Sequence, residues 1–199
     1  MNKYICENSF EYLFTLETQS FDLILTDPPY DLNEQEKRVL HGEFIRIAKG
    51  VIVFSPPENQ WILPADQYLF WIKPISTKNT SKHYSRFVEM LFCYGILKWF
   101  PNRHWSQYTN VFTDLVDDSK LHPYRKPPSL IERLIRNHTE IGDKVLDPFA
   151  GSGTTGMAAI NLDRDCILID NNKDYCNVMY NSLSKHIGNK NYKLITENF

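Results

Sequence analysis

This 199-residue chain lacks net positive charge, any long apolar run and any metal-ligand spacing, and each lack removes a class of function. With a formal net charge of -2 and a sequence pI of about 6.3, a globally basic nucleic-acid binder is excluded, so any affinity for a polyanion must be local. No stretch approaches the ~18 apolar residues of a membrane span. The start has no charged segment leading into an apolar one, so neither membrane insertion nor export is expected. The four cysteines, Cys6, Cys93, Cys166 and Cys176, have no C-x-x-C spacing, and three fall in apolar, strand-like runs. Reduced, buried thiols and cytoplasmic residence are the expectation. The histidines lie far from one another and from any cysteine in ligand-like spacing, so no metal site is expected. No linker-like stretch divides the chain, which reads as a single domain over 1–199.

What is present begins with an uneven distribution of charge. Between Gln67 and Thr113 six basic residues stand against Glu89 alone, a local balance of +5 that leaves -7 elsewhere. A basic surface on an acidic body follows. Short apolar runs alternate with helix-periodic segments, the pattern of an α/β domain with a largely parallel sheet. Strands are expected at Phe21 to Thr26, Val51 to Phe54, Tyr68 to Ile72, Phe87 to Tyr94, Lys144 to Asp147 and Cys166 to Asp170. A helix from Asn33 is expected to end at Gly50, and another to start at Ser129 as its N-cap, with Leu130, Ile131, Leu134 and Ile135 on its apolar face. Further helices are expected over Thr154 to Leu162 and from Asn172 to about Ile187.

Two constellations carry chemistry. In the first, an apolar strand runs through Asp147 and Pro148-Phe149 into the turn Gly151-Ser152-Gly153, and Thr154-Thr155 opens a helix. Glycine lets backbone and ligand approach closely, and N–H groups at a helix start suit a carboxylate. Asp147 can face an ammonium or sulfonium, so the pairing fits a zwitterion better than a pyrophosphate. Asp170 ends the next strand, where an acid of a nucleoside-binding βαβ unit holds ribose hydroxyls.

The second constellation is Asp27-Pro28-Pro29-Tyr30, again at the end of an apolar strand. Proline removes N–H groups and leaves carbonyls to accept, so a carboxylate and a backbone carbonyl together form an acceptor pair for an NH2 group. Methylation of a base amine needs such a pair, because that nitrogen's lone pair is delocalised into the ring. Accepting both N–H bonds favours a tetrahedral nitrogen, while Tyr30 would stack on the base and hold it in line.

These residues resemble the β-class amino-directed DNA methyltransferases, in which the catalytic tetrapeptide precedes the cofactor motif. Asp27-Pro28-Pro29-Tyr30 matches the first motif and Asp147 to Thr155 the second, in that circularly permuted order. The segment His122-Pro-Tyr-Arg-Lys126-Pro127 is similar to a family segment whose lysine helps hold the methionine portion of the cofactor, a role carried to Lys126. Segments around Trp71-x-Lys73 and Phe87 to Tyr94 resemble strands lining the target pocket. The resemblance implies a Rossmann-like fold, a seven-stranded, mostly parallel sheet with helices on both faces. It also implies S-adenosyl-L-methionine as methyl donor, no metal, and a flipped-out base of double-stranded DNA as acceptor. Asp at the first catalytic position favours adenine N6 over cytosine N4. An RNA or protein-amide acceptor and a non-catalytic accessory subunit are the remaining alternatives.

The sequence departs from that family in two places. Glu7-Asn8 stands where relatives carry Gly-Asp near the cofactor adenine, and the stretch from about Phe100 to Leu121 is too short for a separate recognition domain. About 73–121 reads as a basic loop and minimal target-recognition region inserted in the domain. Lys73, Lys78, Lys82 and Arg86 are the expected phosphate contacts, which position DNA without specifying its sequence. Recognition beyond that would come from a homodimer partner or a second subunit, in a bacterial or phage-infected cell.

Overall fold

The computed structural model describes residues 2–73, 87–115, 126–187 and 194–197. Fourteen regular elements alternate along them. In order they are β1 (Asn2–Cys6), α1 (Ser9–Leu13), β2 (Phe21–Thr26), α2 (Glu34–Ile47), β3 (Ala48–Ser55), β4 (Gln67–Ile72) and β5 (Val88–Gly95). There follow β6 (Val111–Phe112), α3 (Pro128–His138), β7 (Lys144–Asp147), α4 (Thr154–Asn161), β8 (Asp165–Asp170), α5 (Lys173–Ile187) and β9 (Leu194–Glu197).

The strands form one sheet in the order β6-β4-β5-β3-β2-β7-β8-β1-β9. Every pairing is parallel except those of β5, which runs against both β3 and β4. This is the Rossmann-like, mostly parallel sheet expected, with nine strands rather than seven because β6 and β9 extend its two edges. The central strands read as near-continuous apolar runs because both faces are covered. On one face α3, α4 and α5 bury Leu130, Leu134, Ala159 and Met179 against Leu23, Leu25, Val145 and Leu168. On the other, α1 and α2 bury Leu13, Leu40, Phe44 and Ile47 against Ile24, Val51 and Leu146.

Several local readings are corrected. Helix α2 begins in a capping box: the Asn33 side chain accepts from Gln35 and Glu36 N–H, and Glu36 reaches back to the Asn33 N–H. It stops at Ile47, however, and Gly50 lies inside β3, where an added Cβ would come within 2.6 Å of Leu97 Cδ2. Gly50 thus serves a close packing contact, not a helix end. Ser129 is not the cap of α3. Pro127 holds that position without a side-chain bond, and Ser129 Oγ donates to Asp114 Oδ1 at 2.6 Å. The thiols are also not all reduced: Cys6, ending β1, and Cys176, in α5 packed above it, form a disulfide, while Cys93 and Cys166 are free and buried. No helix among the described residues is long and apolar enough to cross a membrane.

This topology gathers one end of the sheet. Adjacent strands β2 and β7, joined at Leu23 to Val145 and Ile24 to Leu146, finish side by side at Thr26-Asp27 and Asp147. Strand β8 finishes next to them at Asp170. The carboxyl ends of parallel strands are where open α/β sheets place ligands. Because β5 runs the other way, it is its beginning, at Val88-Glu89, that lies at this pole.

Candidate active site

The two motifs meet in one cavity of about 580 Å³, within the range of small-molecule sites. Asp27, Pro28, Pro29 and Tyr30 line it from β2. Asp147, Phe149, Gly151, Ser152, Thr154 and Thr155 line it from the turn after β7, Asp170 from β8, and Lys126 from the start of α3. Pro148 and Gly153 do not line it. Ser9 Oγ donates to the Pro148 carbonyl, tying α1 to the turn, and Gly153 packs on Met179.

The contact between the motifs is direct: Thr26 Oγ1 donates to Asp147 Oδ1 at 2.8 Å, and Phe149 N–H donates to the same oxygen at 3.1 Å. Burial pushes the Asp147 carboxyl up to about 6, against the pull of hydrogen bonds from Thr155, Thr26 and Phe149. Among the described residues no lysine or arginine pairs with it. Such a carboxylate is chemically suited to a cationic group brought by a ligand. The glycine turn is shaped around the neighbouring acid, since Gly151 N–H donates to Asp170 Oδ2 at 2.8 Å and Asn172 N–H to Asp170 Oδ1 at 2.9 Å. Asp170 itself lines the cavity beside this turn.

At the other wall stands a cluster of ionisable and hydrogen-bonding groups. Lys126 Nζ lies 2.5 Å from Asp27 Oδ2 and 2.7 Å from Glu89 Oε1. Tyr30 Oη is 3.1 Å from both Asp27 Oδ1 and Glu89 Oε1, and Lys73 Nζ caps Glu89 Oε2 at 2.7 Å. Burial drives the Asp27 carboxyl up although Lys126 opposes it, and the neighbouring Glu89 charge adds to the rise. Burial would also raise Glu89, but Lys126 and Lys73 together outweigh it and hold that carboxyl below the ordinary range. Desolvation works against the Lys126 charge, and Asp27 and Glu89 overcome it, so the ammonium is held more firmly than in water.

Tyr30 remains 40% exposed, open to the cavity. Its carbonyl accepts from Asn59 Nδ2, and Asn59 Oδ1 in turn accepts from buried Lys37 Nζ at 2.5 Å. The loop after β2 is thereby anchored to α2.

The cavity brings together most of the residues singled out in the two motifs, but it is also lined by Phe54, Ile131, Asn172 and Tyr175, which carry no motif, and its internal wiring was not foreseen. Glu89 stood out as the single acid of a basic stretch and as part of the Phe87 to Tyr94 segment likened to a strand lining the target pocket, with no role of its own. Lys126 was expected to face a cofactor, and its ammonium lies on the catalytic-motif carboxylate. Lys73, expected on a phosphate, pairs with Glu89 and sits 4.9 Å above the Trp71 ring. Lys78, Lys82 and Arg86 lie outside the described residues. Among the described residues no group of three or more histidine, cysteine or acidic side chains is placed to hold a metal.

The family model described as "DNA methylase", for N6 and N4 methyltransferases, matches residues 51–181. The Type II methyltransferase M2.DpnII of Streptococcus pneumoniae is 27% identical over 239 residues, covering 89% of this chain and 88% of that protein. The Type II methyltransferase M.HpaI of Haemophilus parainfluenzae is 26% identical, covering 87% of this chain and 71% of its own. Among solved structures, the M1.HpyAVI complex with SAM superimposes with a TM-score of 0.69 at 25% identity, covering 92% of this chain and 99% of that one.

Proposed function

This chain belongs to the N6/N4 family of DNA methylases, and from that premise we propose that it transfers a methyl group from S-adenosyl-L-methionine to adenine N6 of double-stranded DNA. The observation that carries the reading is the shared cavity, with Asp147 and Asp170 on one wall, Asp27 and Tyr30 on the other, and a Thr26 to Asp147 hydrogen bond between them.

The donor, when bound, supplies an electrophilic sulfonium methyl. The residues suited to hold it are Asp147 for its ammonium, Asp170 for its ribose hydroxyls, and the turn from Pro148 and Phe149 through Gly151, Ser152 and Gly153 to Thr154 and Thr155 for its carboxylate end. The acceptor side belongs to the tetrapeptide. Asp27 and the Pro28 carbonyl accept the two N–H bonds of the target amine, Pro29 keeps the loop stiff, and the Tyr30 ring stacks on the extruded base. As the nitrogen gains its methyl group it loses a proton, which Asp27 is placed to receive. DNA lies along the basic segment, with Lys78, Lys82 and Arg86 contacting its phosphates, while Lys73 stays paired with Glu89. The chain acts as one domain in the cytoplasm, with a homodimer partner or second subunit extending the contact with DNA.

Incubating the protein with methyl-labelled donor and duplex DNA, followed by nucleoside analysis, tests this reading. The label is expected in N6-methyladenine. Label in N4-methylcytosine overturns the choice of base, and label in RNA or protein but not in DNA overturns the substrate.

The raised Asp147 carboxyl gives the donor site a pH dependence. Below about 6 the group is mostly neutral and offers an ammonium no counter-charge, so donor affinity rises with pH. Between about pH 5 and pH 7 the dissociation constant is expected to fall about tenfold, and Asp147→Asn should flatten that profile in calorimetric titrations. The linked effect on folding has the opposite sense. With its folded pKa raised, Asp147 favours the ligand-free native state at low pH, and that contribution is lost as pH rises through about 6.

A further inference from the structure

We propose that Glu89 is a positioning residue that keeps Asp27 available to the target amine by holding Lys126 as a shared counter-ion; this rests on Asp27 being the acceptor of that amine. In the ligand-free arrangement Asp27 is masked. Its Oδ2 carries the Lys126 ammonium at 2.5 Å and its Oδ1 the Tyr30 hydroxyl at 3.1 Å. An amine approaching the same oxygens must compete with these donors, and with the Lys126 charge above all, for their lone pairs. Stripping a buried lysine from its only carboxylate is costly, because an unpaired charge remains out of water.

Glu89 changes that balance. Its side chain is 3% exposed, and its Oε1 lies 2.7 Å from the Lys126 nitrogen. When the ammonium turns away from Asp27 it keeps a charge-assisted bond, and the Tyr30 hydroxyl, 3.4 Å away, stands ready as a further partner. Lys73 occupies the other Glu89 oxygen, so two cations serve two carboxylates and the cluster stays neutral while Lys126 moves. Glu89 also competes for the Tyr30 hydroxyl, again at 3.1 Å, and so helps to free the second Asp27 oxygen. Without Glu89, both donors would settle on Asp27.

Two properties suit Glu89 to this work and not to mere surface pairing. It is the second residue of the reversed strand β5, paired with Trp71 of β4 and next to Met90, which pairs with Ser55 of β3, so its backbone is held by the sheet. Its carboxylate also faces the cluster without lining the cavity, so it reaches the substrate through Lys126 and Tyr30.

The test measures single-turnover methyl transfer, KM for DNA, donor dissociation constant and thermal midpoint for the wild type and for Glu89→Gln, Asp27→Asn and Glu89→Gln/Lys126→Met. Glu89→Gln is expected to lower the transfer rate about 10- to 100-fold, with KM and donor affinity little changed. Removing Lys126 in that background should restore at least about tenfold, because Asp27 is then unmasked. A wild-type rate in Glu89→Gln overturns the proposal, as does absence of rescue in the double variant at temperatures where it is folded. Loss of donor binding in Glu89→Gln overturns it too. Full activity in Asp27→Asn is a different failure, refuting the acceptor role itself, whereas an inactive Asp27→Asn beside an unaffected Glu89→Gln sinks only the role of Glu89.

Discussion

Asp27→Asn is expected to lower the rate of methyl transfer by about 10³-fold or more while leaving the fold and donor affinity nearly unchanged. The substitution preserves shape and replaces an anionic acceptor by an amide, one arm of which is a donor. An incoming amine would then meet an N–H group where it needs a lone pair, or a neutral carbonyl that cannot take up its proton. The protein tolerates the change because Lys126 keeps its bond to Glu89 at 2.7 Å, so no buried ammonium is orphaned. Rapid-quench measurement of a single turnover, alongside donor titration, separates these expectations. A rate within tenfold of wild type would show that catalysis does not depend on this carboxylate.

Gly153→Ala strikes the donor wall. Gly153 caps α4 with φ +80°, a conformation that costs an L-residue about 1–2 kcal/mol. Its added Cβ would also stand 2.6 Å from Cγ of Met179, which is fully buried in α5 and has little room to retreat. Overpacking of this kind costs a further ~1–3 kcal/mol. The combined loss, about 2–5 kcal/mol, should appear in denaturant unfolding. Relaxation would push the turn into the cavity, so donor affinity should fall at least about tenfold even at temperatures where the variant is folded. Unchanged unfolding would mean that the turn adapts freely, and the close-approach argument would then fail for this glycine.

What could be read from the chain divides along the range of the interactions. Strands β2 and β7 are legible because each is a short apolar run ending in a motif, and the face of α3 is legible because Leu130, Ile131, Leu134 and Ile135 recur at helical spacing. Gly50 misleads because glycine is a common helix terminator, and here pairing with β2 and the nearness of Leu97 decide instead. Ser129 misleads because two prolines already supply the first helical turn. The pairing of Cys6 with Cys176 spans 170 residues, and nothing local marks it. The place of Glu89 is hidden for the same reason: alternation assigns it to a strand, but which pole it occupies depends on strand direction, fixed by pairing with β3. Lys126 and Asp27 are 99 residues apart, so their contact is a product of topology alone.

The reversed strand has one more effect. Lys73 N–H donates to the Phe87 carbonyl at 2.7 Å, closing the β4–β5 ladder beside the cavity. Whatever connects those two residues is thus inserted at a closed rung, and changing its length or composition leaves the register of the sheet untouched. On the proposed placement of DNA along this segment, grafting the connection from one methylase to another is expected to alter contacts with the duplex while the chemistry next to it runs as before.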